Sequence, residues 1–184
     1  MGANASSMSA KQAEKLIENL GILIVDESMY MRKLTRMMLM NIGAKTIYEA
    51  ADGVAALDII RTANPDVAIL DWDLPLLSGA QVVRIVRSPD VFPKPHLPII
   101  MLTASANRSN VAEAMQLGVH EFLLKPTSPR ALQERLLSII MNPRPMVQLG
   151  KYYVPEPRGH VGQSDARYVD DEVDDHQADD CHAA

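Results

Sequence analysis

Cysteine, aromatic residues and long apolar runs are scarce in this chain of 184 residues. The single cysteine, Cys181, cannot form a disulfide within the chain, which favours a protein of the reducing cytoplasm. No stretch approaches the ~18 consecutive apolar residues of a membrane-spanning helix, so we expect no membrane partner. Aromatic residues make up only 4% of the chain, so aliphatic side chains and the 11 methionines must fill the core.

Charge is distributed unevenly along the chain. Residues 1–150 carry 15 Lys and Arg against 14 Asp and Glu, whereas residues 151–184 carry 3 against 9. Neither part offers the basic surface that a nucleic-acid backbone attracts. We therefore expect protein partners and no direct contact with nucleic acid.

Short apolar runs alternate with segments of helical period, which indicates repeated βα units. Ser and Asp residues precede the helical segments, and Gly or Pro follows them, as is typical of helix ends. The predicted strands are 22–25, 46–49, 67–70, 98–102 and 120–124. The predicted helices are 11–20, 28–41, 53–63, 79–87, 107–117 and 128–141. Five such units in about 120 residues predict a doubly wound α/β fold with a five-stranded parallel sheet.

The pattern divides the chain into three parts. Residues 1–20 form an N-terminal extension with a short helix, and residues 21–142 form the folded domain. Residues 143–184 form an acidic C-terminal extension, which we expect to be disordered from about residue 154 because its composition cannot bury enough apolar surface. The sequence does not decide the role of segment 146–153, since its apolar residues could pack on the domain or contact a partner.

Polar side chains follow four of the predicted strands. Asp26 and Glu27 follow the first, Asp71 the third, Thr103 the fourth and Lys125 the fifth. Because parallel strands end at the same edge of a sheet, these side chains should converge where α/β proteins bind ligands. Two purely structural explanations remain as alternatives. Asp26 or Ser28 could cap the next helix, and a buried Lys can belong to a structural ion pair.

Four motifs in register resemble the receiver domains of bacterial two-component response regulators, of the stand-alone, chemotaxis type. They are Val25-Asp26-Glu27, Leu70-Asp71-Trp72-Asp73-Leu74-Pro75 with Gly79 behind it, Met101-Leu102-Thr103-Ala104 and Phe122-Leu123-Leu124-Lys125-Pro126. The resemblance implies a flavodoxin-like sheet with strand order 2-1-3-4-5.

By this resemblance, Asp71 accepts a phosphoryl group as an acyl phosphate in a reaction that needs Mg²⁺, with Mn²⁺ as a possible substitute. The metal ligands would be the side chains of Asp26, Glu27 and Asp71 and the backbone carbonyl of Asp73. Glu27 stands where an aspartate is commoner in the family. Hard oxygen ligands suit Mg²⁺, which keeps several of its waters. The family is not a group of ordinary turnover enzymes, since its phosphotransfer and dephosphorylation occur on the protein itself.

The resemblance also implies roles for three further residues. Thr103 and Lys125 would contact the phosphoryl group, and Thr103 would couple to Phe122 on the next strand as a switch. The switch would reshape the face formed by the helix near 107–117, the last strand and the last helix, through which a homodimer could also form. The phosphoryl donor would be a sensor histidine kinase or a histidine phosphotransfer protein, and the output would pass to an unknown downstream protein.

Two other functions remain as alternatives. A receiver-like chain that is never phosphorylated would be a constitutive binding module. The motif Asp71-Trp72-Asp73 also resembles the Asp-x-Asp nucleophile of haloacid-dehalogenase-type phosphatases, although that motif normally lies on the first strand of its fold.

Overall fold

The computed structural model describes residues 9–104 and 108–156 and contains a five-stranded parallel sheet. The strands lie in the order β2-β1-β3-β4-β5, which confirms the predicted fold class and strand order. Their bounds are β1 Gly21–Val25, β2 Thr46–Ala50, β3 Val67–Asp71, β4 Ile99–Thr103 and β5 Glu121–Leu124. The topological switch point of this order lies between β1 and β3, where a crevice for a ligand opens.

Six helices flank the sheet in the described part of the chain. They are α1 Ala10–Glu18, α2 Met29–Asn41, α3 Gly53–Thr62, α4 Gly79–Val86, α5 Arg108–Gln116 and α6 Pro129–Met141. Ser28, Ser78 and Ser128 cap α2, α4 and α6, and each hydroxyl accepts a hydrogen bond from the backbone N–H three residues later. No helix within the described ranges is long and apolar enough to cross a membrane.

Side chains that alternate along the strands divide the core into two layers. In β3, Ala68 and Leu70 face a first layer, which also includes residues of α3 and α4. Val67 and Ile69 face a second layer, which includes residues of α1, α2 and α6. The buried strands read as continuous apolar runs because both faces of a doubly wound sheet are covered.

Helix α1 is part of this folded body. Its Ile17 is fully buried and belongs to the second core layer together with Leu39 of α2 and Leu136 of α6. Ser9 and Gln12 form a capping box that begins the helix. The N-terminal segment therefore contributes to the core from residue 9 onward.

The segment after α6 folds into an antiparallel hairpin of β6 Met146–Leu149 and β7 Tyr152–Pro155. The sequence pattern predicts no secondary structure for residues 146–153. The position at which disorder was expected to begin, about residue 154, falls inside β7. Gly150, with a φ of +62°, supplies the left-handed conformation at the first position of the two-residue loop. The remainder of the tail expected to be disordered, residues 157–184, lies outside the described residues.

The hairpin packs beneath the amino ends of β4 and β5. The Tyr153 N–H donates to the carbonyl oxygen of Arg87 at 3.0 Å, and its ring lies 4.9 Å from that of His96. Pro155 is buried. These contacts fix the hairpin at the edge of the sheet opposite the predicted site.

Candidate functional site

Asp26 and Asp71 lie side by side at the carboxyl edge of the sheet. Asp26 directly follows β1 and Asp71 ends β3, and the two strands pair with Val25 opposite Leu70. Both carboxylates are buried, with 4% of Asp26 and 7% of Asp71 exposed. The topology therefore brings together two acids that lie 45 positions apart in the sequence.

Lys125 connects these two acids. Its Nζ donates to Oδ2 of Asp26 at 2.6 Å and to Oδ2 of Asp71 at 2.7 Å. Lys125 follows β5, and its backbone N–H donates to the carbonyl of Thr103 at 2.7 Å, which anchors it beside β4. Its long side chain then spans β4 and reaches the acids. Charge-assisted hydrogen bonds of this length are among the stronger ones in proteins.

The pKa values of Asp71 and Lys125 are both raised, and the two rises have different causes. Burial raises the pKa of the Asp71 carboxyl, and the nearby charge of Asp26 adds to the rise, while Lys125 only partly offsets it. Burial by itself would lower the pKa of Lys125, but the hydrogen bonds and the negative charges of Asp26 and Asp71 together outweigh burial and raise that pKa. One ammonium thus serves two buried carboxylates, and an additional cation would favour the ionised form of Asp71.

Thr103 and Phe122 lie on neighbouring strands beside the cluster. Thr103 ends β4 one residue past Leu102, which is paired with Asp71, and it is fully buried. In the register of β4 and β5, Thr103 pairs with Leu124, so Phe122 lies on the same face of the sheet two residues earlier. Phe122 is half-buried and packs against the first core layer. The predicted switch pair is thus on one face of adjacent strands.

The side chains of Glu27 and Asp73 are exposed, whereas those of Asp26 and Asp71 are buried. The role predicted for Asp73 uses its backbone carbonyl and does not depend on its side chain. Within residues 9–104 and 108–156, no group of three or more His, Cys, Asp or Glu side chains is placed to hold a metal ion. The candidate metal ligands that lie close to one another are the carboxylates of Asp26 and Asp71. Two hard carboxylates with a deficit of positive charge fit Mg²⁺, which can complete its shell with carbonyls and waters.

Arg32 is a positioning residue that the sequence pattern did not reveal. Its Nη1 donates to the carbonyl oxygens of Asp26 at 2.8 Å and Glu27 at 3.1 Å. The sequence did contain a signal for this role. Arg32 is a basic residue one turn inside the helix that follows the acidic end of β1. Arg32 fixes the backbone of the acidic loop, and it pairs with Glu49 at 3.6 Å.

The capping role that the sequence left open for Asp26 or Ser28 belongs to Ser28, and Asp26 orders the loop before it. Its Oδ1 accepts the N–H of Ser28 at 2.9 Å, while Oδ2 accepts from Lys125. Ser28 itself caps α2 through the N–H of Met31. One carboxylate oxygen therefore orders the loop and the other joins the charged cluster.

Gly79 allows the chain to pass close behind Asp71. A Cβ at this position would lie 2.3 Å from the carbonyl oxygen of Asp71. The Gly79 N–H also donates to the carbonyl of Trp72 at 2.9 Å. Any side chain at this position would displace the acid-bearing end of β3.

Comparison with known proteins identifies the family. A family model described as response regulator receiver domain matches residues 22–137. The chain belongs to this family. It is 34% identical over 121 residues to chemotaxis protein CheY-3 of Vibrio cholerae, covering 66% of this chain and 92% of that protein. It is 36% identical over 118 residues to chemotaxis protein CheY of Pseudomonas aeruginosa, covering 64% and 94%. These similarities support a receiver of the chemotaxis type.

Solved structures agree with this assignment. A putative response regulator from Chloroflexus aurantiacus superposes with a TM-score of 0.61 at 31% identity, covering 67% of this chain and 98% of that one. A CheX–CheY–BeF3–Mg complex from Borrelia burgdorferi superposes with a TM-score of 0.59 at 25% identity, covering 65% and 87%. Both similarities leave about a third of this chain without a counterpart.

Proposed function

We propose that Asp71 accepts a phosphoryl group from the phosphohistidine of a sensor histidine kinase or a histidine phosphotransfer protein, and that the phosphorylated chain signals through a protein partner. The observation that carries this proposal is the pair of hydrogen bonds, 2.6 and 2.7 Å long, by which Lys125 joins Asp26 and Asp71. Membership of the receiver family supports it.

The transfer is a displacement at phosphorus. A carboxylate oxygen of Asp71 attacks the phosphorus and forms an O–P bond while the N–P bond of the phosphohistidine breaks. The electron pair of that bond stays with the imidazole nitrogen, which leaves with the donor protein. Asp71 must be ionised to attack, and Lys125 supports the ionised form through its hydrogen bond. Hydrolysis of the acyl phosphate later restores the carboxylate.

The negative charge of both reactants is the main barrier to this step. Asp26, Asp71, the backbone carbonyl of Asp73 and, through its exposed side chain, Glu27 would hold Mg²⁺ or Mn²⁺. The bound cation would supply positive charge between the carboxylate and the phosphoryl oxygens. Lys125 would exchange its contact with Asp71 for one with the phosphoryl group.

Thr103 and Phe122 would convert the chemical change into a change of surface. The hydroxyl of Thr103 would donate to a phosphoryl oxygen, and Phe122 would move into the space released beside it. Because both residues lie on one face of β4 and β5, the change would reach the face formed by α5, β5 and α6. This face is our candidate for the output surface. A homodimer that forms through this face remains a prediction. A cytoplasmic location remains a prediction as well.

The two alternatives differ in their support. Asp71 ends β3, the third strand of the sheet, whereas the nucleophile of a haloacid-dehalogenase-type phosphatase normally lies on the first strand. The family match also disfavours that enzyme class. A constitutive binding module would keep the same fold, and only a measurement of phosphorylation separates it from our proposal.

Trp72 provides a label-free test next to the acceptor. We expect its fluorescence to change on addition of Mg²⁺ and again on addition of beryllofluoride, which mimics a phosphoryl group. Asp71→Asn should lose the second response. Asp73→Asn is the matched control, because its side chain is exposed and only its backbone carbonyl is proposed as a ligand. If the wild type does not respond and its circular dichroism is normal, the constitutive binding module is the better account.

A further inference from the structure

The hairpin of β6 and β7 has one face on the domain and one apolar face turned outward. Its register pairs Val147 with Val154 and Leu149 with Tyr152, so these four side chains share a face. Val147 is 40% exposed, Leu149 67% and Tyr152 44%. The opposite face includes Tyr153, which contacts His96. The outward face has no charged side chain.

The outer edge of β6 also leaves backbone groups available. The Tyr153 N–H donates to Arg87 and therefore points away from β6. In an antiparallel pair, opposite residues direct their N–H and C=O groups in the same sense, either both inward or both outward. Gln148, which is paired with Tyr153, must direct its own groups away from β7, and Met146, two residues earlier, must do the same. Among the described strands, β6 has β7 as its one neighbour.

We propose that β6 pairs with β6 of a second copy of this chain, forming an antiparallel homodimer. If Val147 lies on the two-fold axis, Met146 of each copy faces Gln148 of the other, and both residues present their backbone groups outward. An edge strand that pairs antiparallel with itself is self-complementary, as a two-fold interface requires. The valines at position 147 of the two copies would then be direct neighbours across the new strand pair.

The charge of the strand favours a second copy over a charged partner. Met146, Val147, Gln148 and Leu149 are all uncharged, so two copies do not repel each other at this edge. The same strand offers no charge by which an acidic or basic peptide could be selected. An exposed apolar edge without charges is a typical site of strand pairing between chains.

This surface is separate from the phosphoacceptor site in sequence and in space. The hairpin lies beyond residues 22–137, which the family model matches. It packs beside Arg87 and Gly118 at the amino edge of the sheet, whereas Asp71 lies at the carboxyl edge. We therefore expect dimerisation through β6 to be independent of phosphorylation, so it can fail while the proposed function stands.

Sedimentation velocity on the full chain over a range of concentrations tests the proposal. We expect a species of about twice the 20.3 kDa of one chain at high concentration. Gln148→Pro should shift it to the monomer, since it removes an outward N–H while keeping the bonds to β7. Leu149→Lys should act in the same way by adding a charge to the edge. Met40→Lys is the matched control, because Met40 is an exposed apolar residue on α2, and it should leave the dimer intact.

Three results would overturn the proposal. A full chain that stays monomeric at millimolar concentration does not form the proposed dimer, and if removal of residues 157–184 then allows association, the tail and not a second copy covers β6 in the full chain. If the dimer persists in both Gln148→Pro and Leu149→Lys, its interface is not formed by β6. A dimer that forms only with beryllofluoride belongs to the phosphorylated state, as the face of α5, β5 and α6 would predict.

Discussion

Each edge of the sheet buries a cationic side chain, and the two edges differ in what surrounds the charge. At the carboxyl edge, Lys125 meets two carboxylates. At the amino edge, Arg87 is fully buried and donates to the carbonyl oxygens of Gly118 at 3.0 Å and Pro95 at 2.8 Å, with the ring of His120 at 3.4 Å. The first cluster has an excess of negative charge and can take up a cation or a phosphoryl group. The second satisfies its hydrogen bonds with neutral groups and links segments of the fold.

The amino edge also differs from the carboxyl edge in the pKa values of its buried groups. Burial lowers the pKa of Arg87 to about 9, so its guanidinium stays charged at neutral pH. Burial, together with the charges of Arg87 and Arg144, lowers the pKa of His120 to about 3, so this ring is neutral. No acid takes part in these contacts of Arg87. Buried charge by itself therefore does not indicate a reactive site, and the presence of paired carboxylates does.

Replacement of Lys125 by Met should have the largest effect on function. The variant removes the ammonium that holds Asp71 and meets the phosphoryl group, and the loss of one such group typically lowers a rate by about 10²–10³-fold. The rate of phosphorylation by a small-molecule donor such as acetyl phosphate measures this effect. Arg130→Met, on the exposed side of α6, is a control that should keep the wild-type rate. An unchanged rate in Lys125→Met would remove Lys125 from the mechanism.

Replacement of Arg87 by Met, at the amino edge, should lower the stability of the fold and leave the rate of phosphorylation unchanged. It leaves the buried carbonyl of Gly118 and the half-buried carbonyl of Pro95 without their donor, and the loss of a buried partner costs about 1–3 kcal/mol of stability. We expect urea denaturation to show a loss of about 3 kcal/mol, with the folded fraction phosphorylated at the normal rate. A stable variant that cannot be phosphorylated would show that the two edges are not separate.

His120 should give a smaller effect that depends on pH. Its folded pKa of about 3 lies below the usual value of 6.5, so only the neutral ring fits the fold. Its contribution is complete above pH 6.5 and decreases as the pH falls, by about 1.4 kcal/mol per unit. Unfolding free energies of the wild type and His120→Asn, compared between pH 7 and 5, isolate this contribution. Equal slopes in the two proteins would contradict the assignment.

Replacement of Glu27 should have the smallest effect. Its side chain is exposed and does not join the cluster of Asp26, Lys125 and Asp71. We expect Glu27→Gln to weaken Mg²⁺ binding by less than about tenfold, or roughly 1.4 kcal/mol. Asp26→Asn should weaken it more. Both affinities can be measured by the fluorescence of Trp72, and equal losses would give Glu27 the same weight as Asp26.

The sequence predicted the sheet and the central cluster because both depend on chain order. Asp26, Asp71 and Lys125 each follow an apolar run, and parallel strands place such residues at one edge whatever the details of packing. The strand bounds agree with the structure to within one or two residues. Thr103 is likewise found at the end of its strand.

Other features depend on contacts that no local pattern encodes. Arg87 has the sequence context of an ordinary basic residue at the end of a helix, and its burial requires carbonyls from the loop that follows and from Gly118, which lies far along the chain. The hairpin was not predicted as strands because each strand has only four residues and prolines flank the segment. The Gly150-Lys151 pair between apolar residues was a turn signal that could have identified it.

Intact-mass measurement tests the assignment of Asp71 as the phosphoryl acceptor. We would incubate the full chain with acetyl phosphate and Mg²⁺ and compare it with Asp71→Asn and with Asp73→Asn. This assignment predicts that the wild type and Asp73→Asn gain the mass of one phosphoryl group, that Asp71→Asn gains none, and that chelation of Mg²⁺ prevents the gain. Equal labelling of Asp71→Asn, or no labelling of a folded wild type by acetyl phosphate or by a phosphorylated histidine phosphotransfer protein, would contradict it.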